Sequence, residues 1–468
     1  MRLMSHFYTR PVISAVIFAL FFSPYCLFAP RAFALSTEDE TIMGQEFLVQ
    51  IQERFQLLDD NFTNQYINEL GHYLIRPLET RHFPFQFYII NVNMLNAFAA
   101  PGGHIFIFSG LIEALDNIDE LAAIICHEIG HVAARHLSQR IEQNKMIGIA
   151  TLAGVLAGIL IGGEASGALI TGSLAAAQQA QLSYSRTDER QADQLGFKYM
   201  KAAGYNPAGM IGALDKLAKG QWLGSNKIPA YLLTHPTGPE RMSNLESLMS
   251  GYEPGEPKDE AGFFQELFPV FKTVITAKCL ESDQARRIFD RETKEIPESF
   301  LPHFGLGLVS LGESDYVKAI EQLEKALEKN PEFVPALIHL GKAYQMSGQD
   351  KKAISVLEQA LNLDDGNRMV TYLLGLSNEN LGRYDTATAF FKRLSAFGRT
   401  RNEVYYHLGI CYGNKNQLAL AHYNFGLYFK NLRQIQKSRF HFHKAEELSS
   451  ENVRLRKKIR EEIKNSNF

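Results

Sequence analysis

Two histidines stand four residues apart in an apolar stretch of the chain, and a glutamate directly follows the first of them. These residues are His127, Glu128 and His131. On a helix, positions i and i+4 lie on one face a turn apart, so both imidazoles can bind one metal ion. Glu128 is one residue further round and can reach a water bound to that ion. This H-E-x-x-H spacing is typical of zinc peptidases, in which the glutamate is the general base.

A catalytic zinc ion with one open coordination position needs a third protein ligand. In the metzincin class this ligand is a histidine ten residues after the first, and a glycine lies three residues before it. The corresponding positions are Leu137 and Ala134, which excludes that class. His136 lies about half a turn out of phase with His127, so we expect a surface histidine or one that contacts a ligand.

A later segment offers a carboxylate instead. Glu189 and Asp193 are four residues apart and share one face of a predicted helix. Glu189 can bind the metal, while Asp193 can accept the second N–H of a ligand imidazole. Such a pair is more often a solvated helix face. The motif upstream, together with the small residues Ala192 and Gly196 that permit close packing, favours the metal-site interpretation.

The beginning of the chain has the pattern of an export signal. Arg2 and Arg10 are followed by the nearly all-apolar stretch Val12–Phe22, and the small residues Ala32 and Ala34 then flank a phenylalanine. This order predicts a secretory signal peptide over residues 1–34. An uncleaved membrane anchor is the alternative, because apolar residues continue to position 29.

Overall charge and cysteine content set further limits. The chain has 48 basic and 51 acidic residues, and this balance argues against nucleic acid as a partner. Beyond the predicted signal, three cysteines remain, an odd number far apart in sequence, so no disulfide framework is predicted: Cys126, Cys279 and Cys411.

The second half of the chain repeats with a period of 34 residues. A Leu-Gly pair recurs at this spacing, twelve residues later comes an alanine, and four further on a large apolar residue; the four glycines are Gly307, Gly341, Gly375 and Gly409. Small residues at helix crossings with bulky ones between them are the tetratricopeptide signature. The clear repeats are residues 298–331, 332–365, 366–399 and 400–433. A degenerate copy precedes them.

These patterns predict a mainly α protein with four segments. We expect a signal peptide at 1–34, a metalloprotease domain at 35–250, a Pro/Gly-rich linker at 251–263 and an α-solenoid of tetratricopeptide repeats at 264–468. The linker composition suggests that the repeats are a separately folded body.

Residues 146–182 contain a single charged residue, Glu164, and 147–163 nearly reach the length of a membrane span. One crossing would put His127 and Glu189 on opposite sides of a membrane, and the polar segment that follows cannot cross back. We therefore expect this stretch to pack against the protease core or to contact a membrane surface peripherally.

Several motifs occur in one order along the first half of the chain: Asn96–Ile105, Gly110-Leu111, Glu120–Ala122, the H-E-x-x-H, Ser185–Asp193, and Thr234-His235-Pro236 with Arg241. This order resembles the gluzincin peptidase family that contains the membrane CAAX prenyl endopeptidases and the heat-shock membrane protease. The resemblance implies a gluzincin-type α+β domain with one Zn²⁺ per chain. It makes His127, His131 and Glu189 the ligands and Glu128 the base.

The same resemblance implies further roles. Residues Asn96, Ala97, Phe98 and Ala99 correspond to an edge strand on which such enzymes bind an extended peptide, with weak sequence preference because main-chain hydrogen bonds dominate. His235 corresponds to a histidine that closes onto the zinc or steadies the transition-state oxyanion. Arg241 helps to hold that region.

Together with the export signal and the repeats, the resemblance implies a periplasmic zinc endopeptidase. Its substrates would be misassembled or stalled outer-membrane β-barrel proteins, and its repeats would recruit the outer-membrane assembly machinery and assist assembly. A competing hypothesis is a regulated or plugged protease that acts mainly as a chaperone or scaffold. A purely structural zinc site is disfavoured, because three ligands beside a glutamate leave a position open for chemistry.

Overall fold

The computed structural model describes residues 36–143, 184–219, 229–253, 255, 258–396, 401–450 and 452–465. The predicted signal peptide and the apolar stretch 146–182 lie outside these residues. Within them the chain is mainly helical, as predicted. No helix in the described ranges has the length and apolar character that crossing a membrane requires.

The first part of the chain contains the only strands in the described residues. Its elements are α1 (Thr37–Arg54), α2 (Asn61–Leu74), β1 (Gln86–Ile90), β2 (Ala97–Ala100), β3 (His104–Phe108), α3 (Ser109–Ala114), α4 (Ile118–Ala133), α5 (His136–Gln143), α6 (Arg186–Ala203), α7 (Ala208–Lys219), α8 (Ala230–Thr234) and α9 (Pro239–Met249). A short 3₁₀ turn over Pro101–Gly103 joins β2 to β3, and Gly102 and Gly103 take positive φ there. Only glycine adopts such angles at little cost.

The three strands form a sheet of order β1-β3-β2. Strand β1 runs parallel to β3, whereas β2 runs antiparallel to it with Phe98 opposite Phe106. In the described chain β2 is therefore an edge strand, and it lies beside helix α4. Alternate residues of β2 serve two cores, since Ala97 and Ala99 pack with α4 and Phe98 packs with α1.

Helix α4 carries the H-E-x-x-H, and α6 crosses it at close range. A Cβ atom on Gly130 would lie 2.9 Å from the main-chain oxygen of Ala192. A Cβ atom on Gly196 would lie 3.3 Å from the main-chain nitrogen of His127. Asn117 caps the start of α4, and a capping box formed by Ser185 and the third helical residue fixes the start of α6. The small residues allow both backbones to approach.

The remaining helices are α10 (Asp259–Cys279), α11 (Ser282–Glu295), α12 (Leu301–Gly312), α13 (Tyr316–Lys329), α14 (Val334–Met346), α15 (Asp350–Leu363), α16 (Arg368–Asn380), α17 (Tyr384–Ser395), α18 (Asn402–Asn414), α19 (Leu418–Asn431), α20 (Ile435–Leu448) and α21 (Val453–Asn465). From α12 to α19 consecutive helices pack against each other in pairs. At Gly307 and Gly341 an added Cβ would lie 2.6 and 2.5 Å from Leu323 and Leu357, which shows why glycine recurs at the crossing.

Helix α10 joins the two parts of the molecule. It begins at Asp259, inside the predicted linker 251–263, so residues 259–263 belong to a helix. Phe264 and Phe271 pack in the core of the first part, whereas Val270 and Val274 pack in the core of the repeats. The linker is shorter than predicted because α10 carries apolar side chains on two faces and packs in both cores.

Candidate metal centre

Four buried side chains converge at the crossing of α4 and α6. One nitrogen or oxygen atom of each lies within 4.8 Å of the others, and they are His127, His131, Glu189 and His235. Each residue is at most 2% exposed. Among the described residues this is the one group of three or more such side chains that can hold a metal ion.

The helices set the spacing of the donor atoms. One turn of α4 brings the Nε2 atoms of His127 and His131 to 3.0 Å from each other. Glu189, in the first turn of α6, lies with its carboxylate oxygens 3.5 Å from each of these nitrogens. Two imidazoles and a carboxylate are the donor set of catalytic zinc sites in peptidases, so these residues fit such an ion.

The pKa values of the cluster reflect these contacts. Burial raises the pKa of Glu189, but the charges of His235 and Arg241 and the hydrogen bonds from the imidazoles hold it well below its usual range. Burial and Arg241 lower the pKa of His127, yet its bonds to Asp193 and Glu189 raise it to about 9. Burial lowers the pKa of His131 well below its ordinary value.

Glu128 lies at the centre of the site without a hydrogen-bond partner. Its side chain is fully buried, and neither carboxylate oxygen has a partner among the described residues. His235 Nε2 lies 3.6 Å from Glu128 Oε1. A buried carboxylate left without partners is costly, which fits a group that meets a water or a substrate beside the metal.

Asp193 and Arg241 lie beside His127 and Glu189. Asp193 Oδ1 lies 2.9 Å from His127 Nδ1, on the side of the ring away from the cluster. Arg241 donates to both oxygens of Asp193 at 2.8 Å and forms an ion pair with Glu189. The aspartate therefore lies where the sequence argument expected an acceptor for a ligand N–H, and the arginine ties the two carboxylates together.

The structure adds two residues that the sequence reasoning did not assign to the site. His136 is buried, and its Nδ1 lies 3.0 Å from His131 Nδ1 while its Nε2 lies 3.0 Å from Gln191 Oε1. The ring of Tyr184 lies 3.8 Å from that of His131, centroid to centroid. The sequence analysis expects either a surface histidine or one that contacts a ligand at this position, and the structure buries His136 against His131. Nothing in the sequence distinguished Tyr184.

The segment around α8 covers the cluster. His235 follows α8, its ring stacks on that of Tyr231 at 4.4 Å, and its Nδ1 lies 2.9 Å from Glu189 Oε1. Tyr231 N–H also donates to the Leu95 carbonyl at 3.2 Å, just before the edge strand. Asn96, expected to begin that strand, precedes it and is buried. The site is therefore closed to solvent in this conformation.

Two sequence families match this chain. Residues 61–249 match the model of Peptidase family M48, and residues 310–376 match a tetratricopeptide repeat model. The first range contains every residue of the cluster, and the second covers part of the repeats.

Known proteins resemble a larger part of the chain. The β-barrel assembly-enhancing protease of Yersinia pestis is 29% identical over 360 residues, which cover 69% of this chain and 74% of that one. The protein of the same name from Escherichia coli (strain K12) is 28% identical over 373 residues, covering 71% and 76% of the two chains. The mitochondrial metalloendopeptidase OMA1 of Arabidopsis thaliana is 33% identical over 157 residues, covering 34% and 30%.

Proposed function

Because the chain is a metalloendopeptidase in which an M48 peptidase domain precedes tetratricopeptide repeats, we propose that His127, His131 and Glu189 hold one zinc ion per chain. The convergence of these three buried donors supports this assignment. When bound, zinc supplies Lewis acidity to the scissile carbonyl and to the attacking water. Three protein ligands leave the further coordination position that this chemistry needs.

Glu128 is the general base in this proposal. Its buried carboxylate, without a hydrogen-bond partner in the described chain, is the observation that carries the assignment. It accepts a proton from the attacking water and returns it to the leaving amine. Asp193 orients His127 through Nδ1–H, and Arg241 in turn holds Asp193 and Glu189 in place.

The peptide binds in extended form along β2. This strand pairs with β3 along one edge, and its Ala97 and Ala99 face packs with the motif helix, so a peptide paired along the other edge would run beside that helix. Asn96, Ala97, Phe98 and Ala99 are the proposed binding residues. Because the main chain makes these bonds, preference for particular sequences is weak.

We further propose a role in the periplasm. The substrates are misassembled or stalled outer-membrane β-barrel proteins, and the repeats recruit the outer-membrane assembly machinery. The relatives named β-barrel assembly-enhancing proteases support this proposal, as does the export signal expected at residues 1–34. The stacked helix pairs of the repeats form the extended surface typical of protein-binding modules.

The test compares wild type with Glu128→Gln, which keeps the size of the side chain but removes the proton acceptor. We expect the variant to retain zinc and its thermal unfolding temperature while cleavage of an unfolded model protein falls by about 10²–10⁴-fold. Metal analysis and a casein-cleavage assay measure both properties. Cleavage within about threefold of wild type in a zinc-loaded variant would count against the assignment.

A second candidate function rests on the closed site. The ligands, Glu128 and His235 are almost inaccessible, and His235 lies between Glu128 and Glu189. A peptide reaches the cluster only after α8 and His235 move. A protease that is closed at rest and opens on contact with a partner would act between cleavage events mainly as a chaperone or scaffold.

A further inference from the structure

Two histidines near the end of the repeats lie in direct contact. His422 is on α19 and His441 is on α20, and their Nδ1 atoms lie 2.9 Å apart. The two helices pack closely here, because a Cβ on Gly426 would lie 2.6 Å from the ring of Phe442. Both histidines are half-buried. The pair is therefore held by two packed helices and still reaches the surface of the repeats.

Aromatic side chains hold the ring of His441 in place. It stacks on the ring of Phe429 with 5.3 Å between centroids, and the rings of Phe425 and Phe440 lie 5.4 and 5.2 Å from it. These contacts restrict the rotation of the imidazole and keep its Nδ1 directed at His422. A side chain that is already ordered loses little conformational freedom when it binds a ligand.

The separation of the two nitrogens is one that a shared metal ion can span. Imidazole nitrogens bind zinc at about 2.0–2.1 Å, so two of them on one ion lie at most about 4 Å apart. The Nε2 atoms of His127 and His131, the proposed zinc ligands, lie 3.0 Å apart in this structure. The contact in the repeats has nearly the same length.

The protonation of the pair also suits metal binding, which requires neutral imidazoles. Burial and the charge of Lys444 lower the pKa of His422. Burial and the charge of His422 lower the pKa of His441 to about 4. Both rings are therefore neutral at pH 7. With the remaining proton on Nε2 of each ring, both Nδ1 lone pairs are available to an ion between them.

We propose that His422 and His441 form a second metal site, which binds Cu²⁺ or a similar nitrogen-preferring divalent ion through both Nδ1 atoms. Imidazole suits such ions, and Cu²⁺ binds most tightly among the first-row divalent metals. Within the ranges that the structure describes, no His, Cys, Asp or Glu completes a set of three with this pair. Water, or a donor atom of a bound polypeptide, fills the remaining coordination positions.

A neighbouring positive charge sets the expected strength of this site. Lys444 acts on His422 through its charge and repels a bound cation, but its amine pairs with Glu447 at 2.9 Å. The carboxylate offsets part of that repulsion. With two protein ligands and no carboxylate among them, the site holds an exchangeable ion, more weakly than the buried cluster of the first domain holds zinc.

The test titrates the full-length, untagged, zinc-loaded protein with Cu²⁺ and records electron paramagnetic resonance spectra and bound zinc in the same samples. Wild type should take up one Cu²⁺ while it keeps its zinc, with a spectrum showing two imidazole nitrogens. His422→Ala and His441→Ala should each weaken this binding at least about tenfold, because loss of even an orienting residue weakens metal sites about 10–100-fold. Cu²⁺ should also raise the unfolding temperature of wild type but not of these variants.

His443→Ala is the matched control, since His443 is exposed on the same helix two residues after His441. It should bind Cu²⁺ as wild type does. If His441→Ala fails to fold because its ring packs among phenylalanines, the half-buried His422 decides the result alone. Cu²⁺ binding that persists in folded His422→Ala would overturn the proposal, as would release of one zinc for each Cu²⁺ bound. Absence of saturable Cu²⁺ binding in wild type would leave only a hydrogen bond between the two rings.

Discussion

The close crossing of α4 and α6 yields a quantitative prediction at Gly130. This glycine lies between the two proposed ligand histidines, and an added Cβ would lie 2.9 Å from the main-chain oxygen of Ala192. Ordinary contact begins near 3.4 Å, so Gly130→Ala must push α6 away by about 0.5 Å. Glu189 moves with α6, while His127 and His131 stay on α4.

The expected magnitude follows from the tolerance of metal sites. Ligand distances hold within about 0.2 Å of their ideal values, so a shift of about 0.5 Å exceeds that tolerance. We expect the affinity for zinc to fall by about 10–100-fold, the range seen when a residue that orients a metal ligand is mutated. Overpacking costs about 1–3 kcal/mol, but alanine recovers up to about 1 kcal/mol of helix propensity, so the fold should survive.

The assay is competition for zinc against a chelator of known affinity, with unfolding by urea measured on the metal-free protein. Gly262→Ala is the matched control, because Gly262 lies in helix α10 and an added Cβ would meet no atom within 4 Å. The control should keep wild-type zinc affinity and gain up to about 1 kcal/mol in stability. Wild-type zinc affinity in folded Gly130→Ala would refute the claim that this crossing positions Glu189.

Two other perturbations test the closed site and the role of α10. His235→Ala removes the side chain that covers Glu128. Zinc should remain bound, and cleavage of a model protein should rise about twofold or more, because the open state of the site becomes more populated. An unchanged cleavage rate would exclude a role for His235. A chain that ends after Gly251 loses the buried Phe264 and Phe271, each worth about 1.5–3 kcal/mol, and should unfold at lower temperature than a chain ending after Cys279. Equal melting temperatures of the two truncated chains would show that α10 is dispensable for the first domain.

Much of the candidate metal site could be predicted because its geometry is local. His127 and His131 need only a helix to share a face, and Glu189 and Asp193 need only a second helix with small residues at the crossing. The periodicity of the sequence indicates the shared helix face, and residue size indicates where two helices can cross closely. The resulting four side chains do meet at the crossing of α4 and α6.

Residues that reach the site from elsewhere could not be found in this way. Tyr184 carries no spacing pattern that links it to the motif, since it approaches His131 only through tertiary packing. His136 was out of phase with His127 on one continuous helix, but the chain turns at Arg135 and begins α5 at His136. That turn directs the ring of His136 onto His131, and a projection of one continuous helix cannot show it.

The boundary between the two parts of the chain also could be predicted only in part from the sequence. Proline and glycine near residue 254 indicate a break in the chain, and α9 ends at Met249 while α10 begins at Asp259, but composition does not reveal which core the next helix joins. Helix α10 packs in both, and Lys278 near its end pairs with Asp60, the N-cap of α2. Because side chains of one helix belong to both cores, the break near residue 254 is a break in the chain and not in the packing.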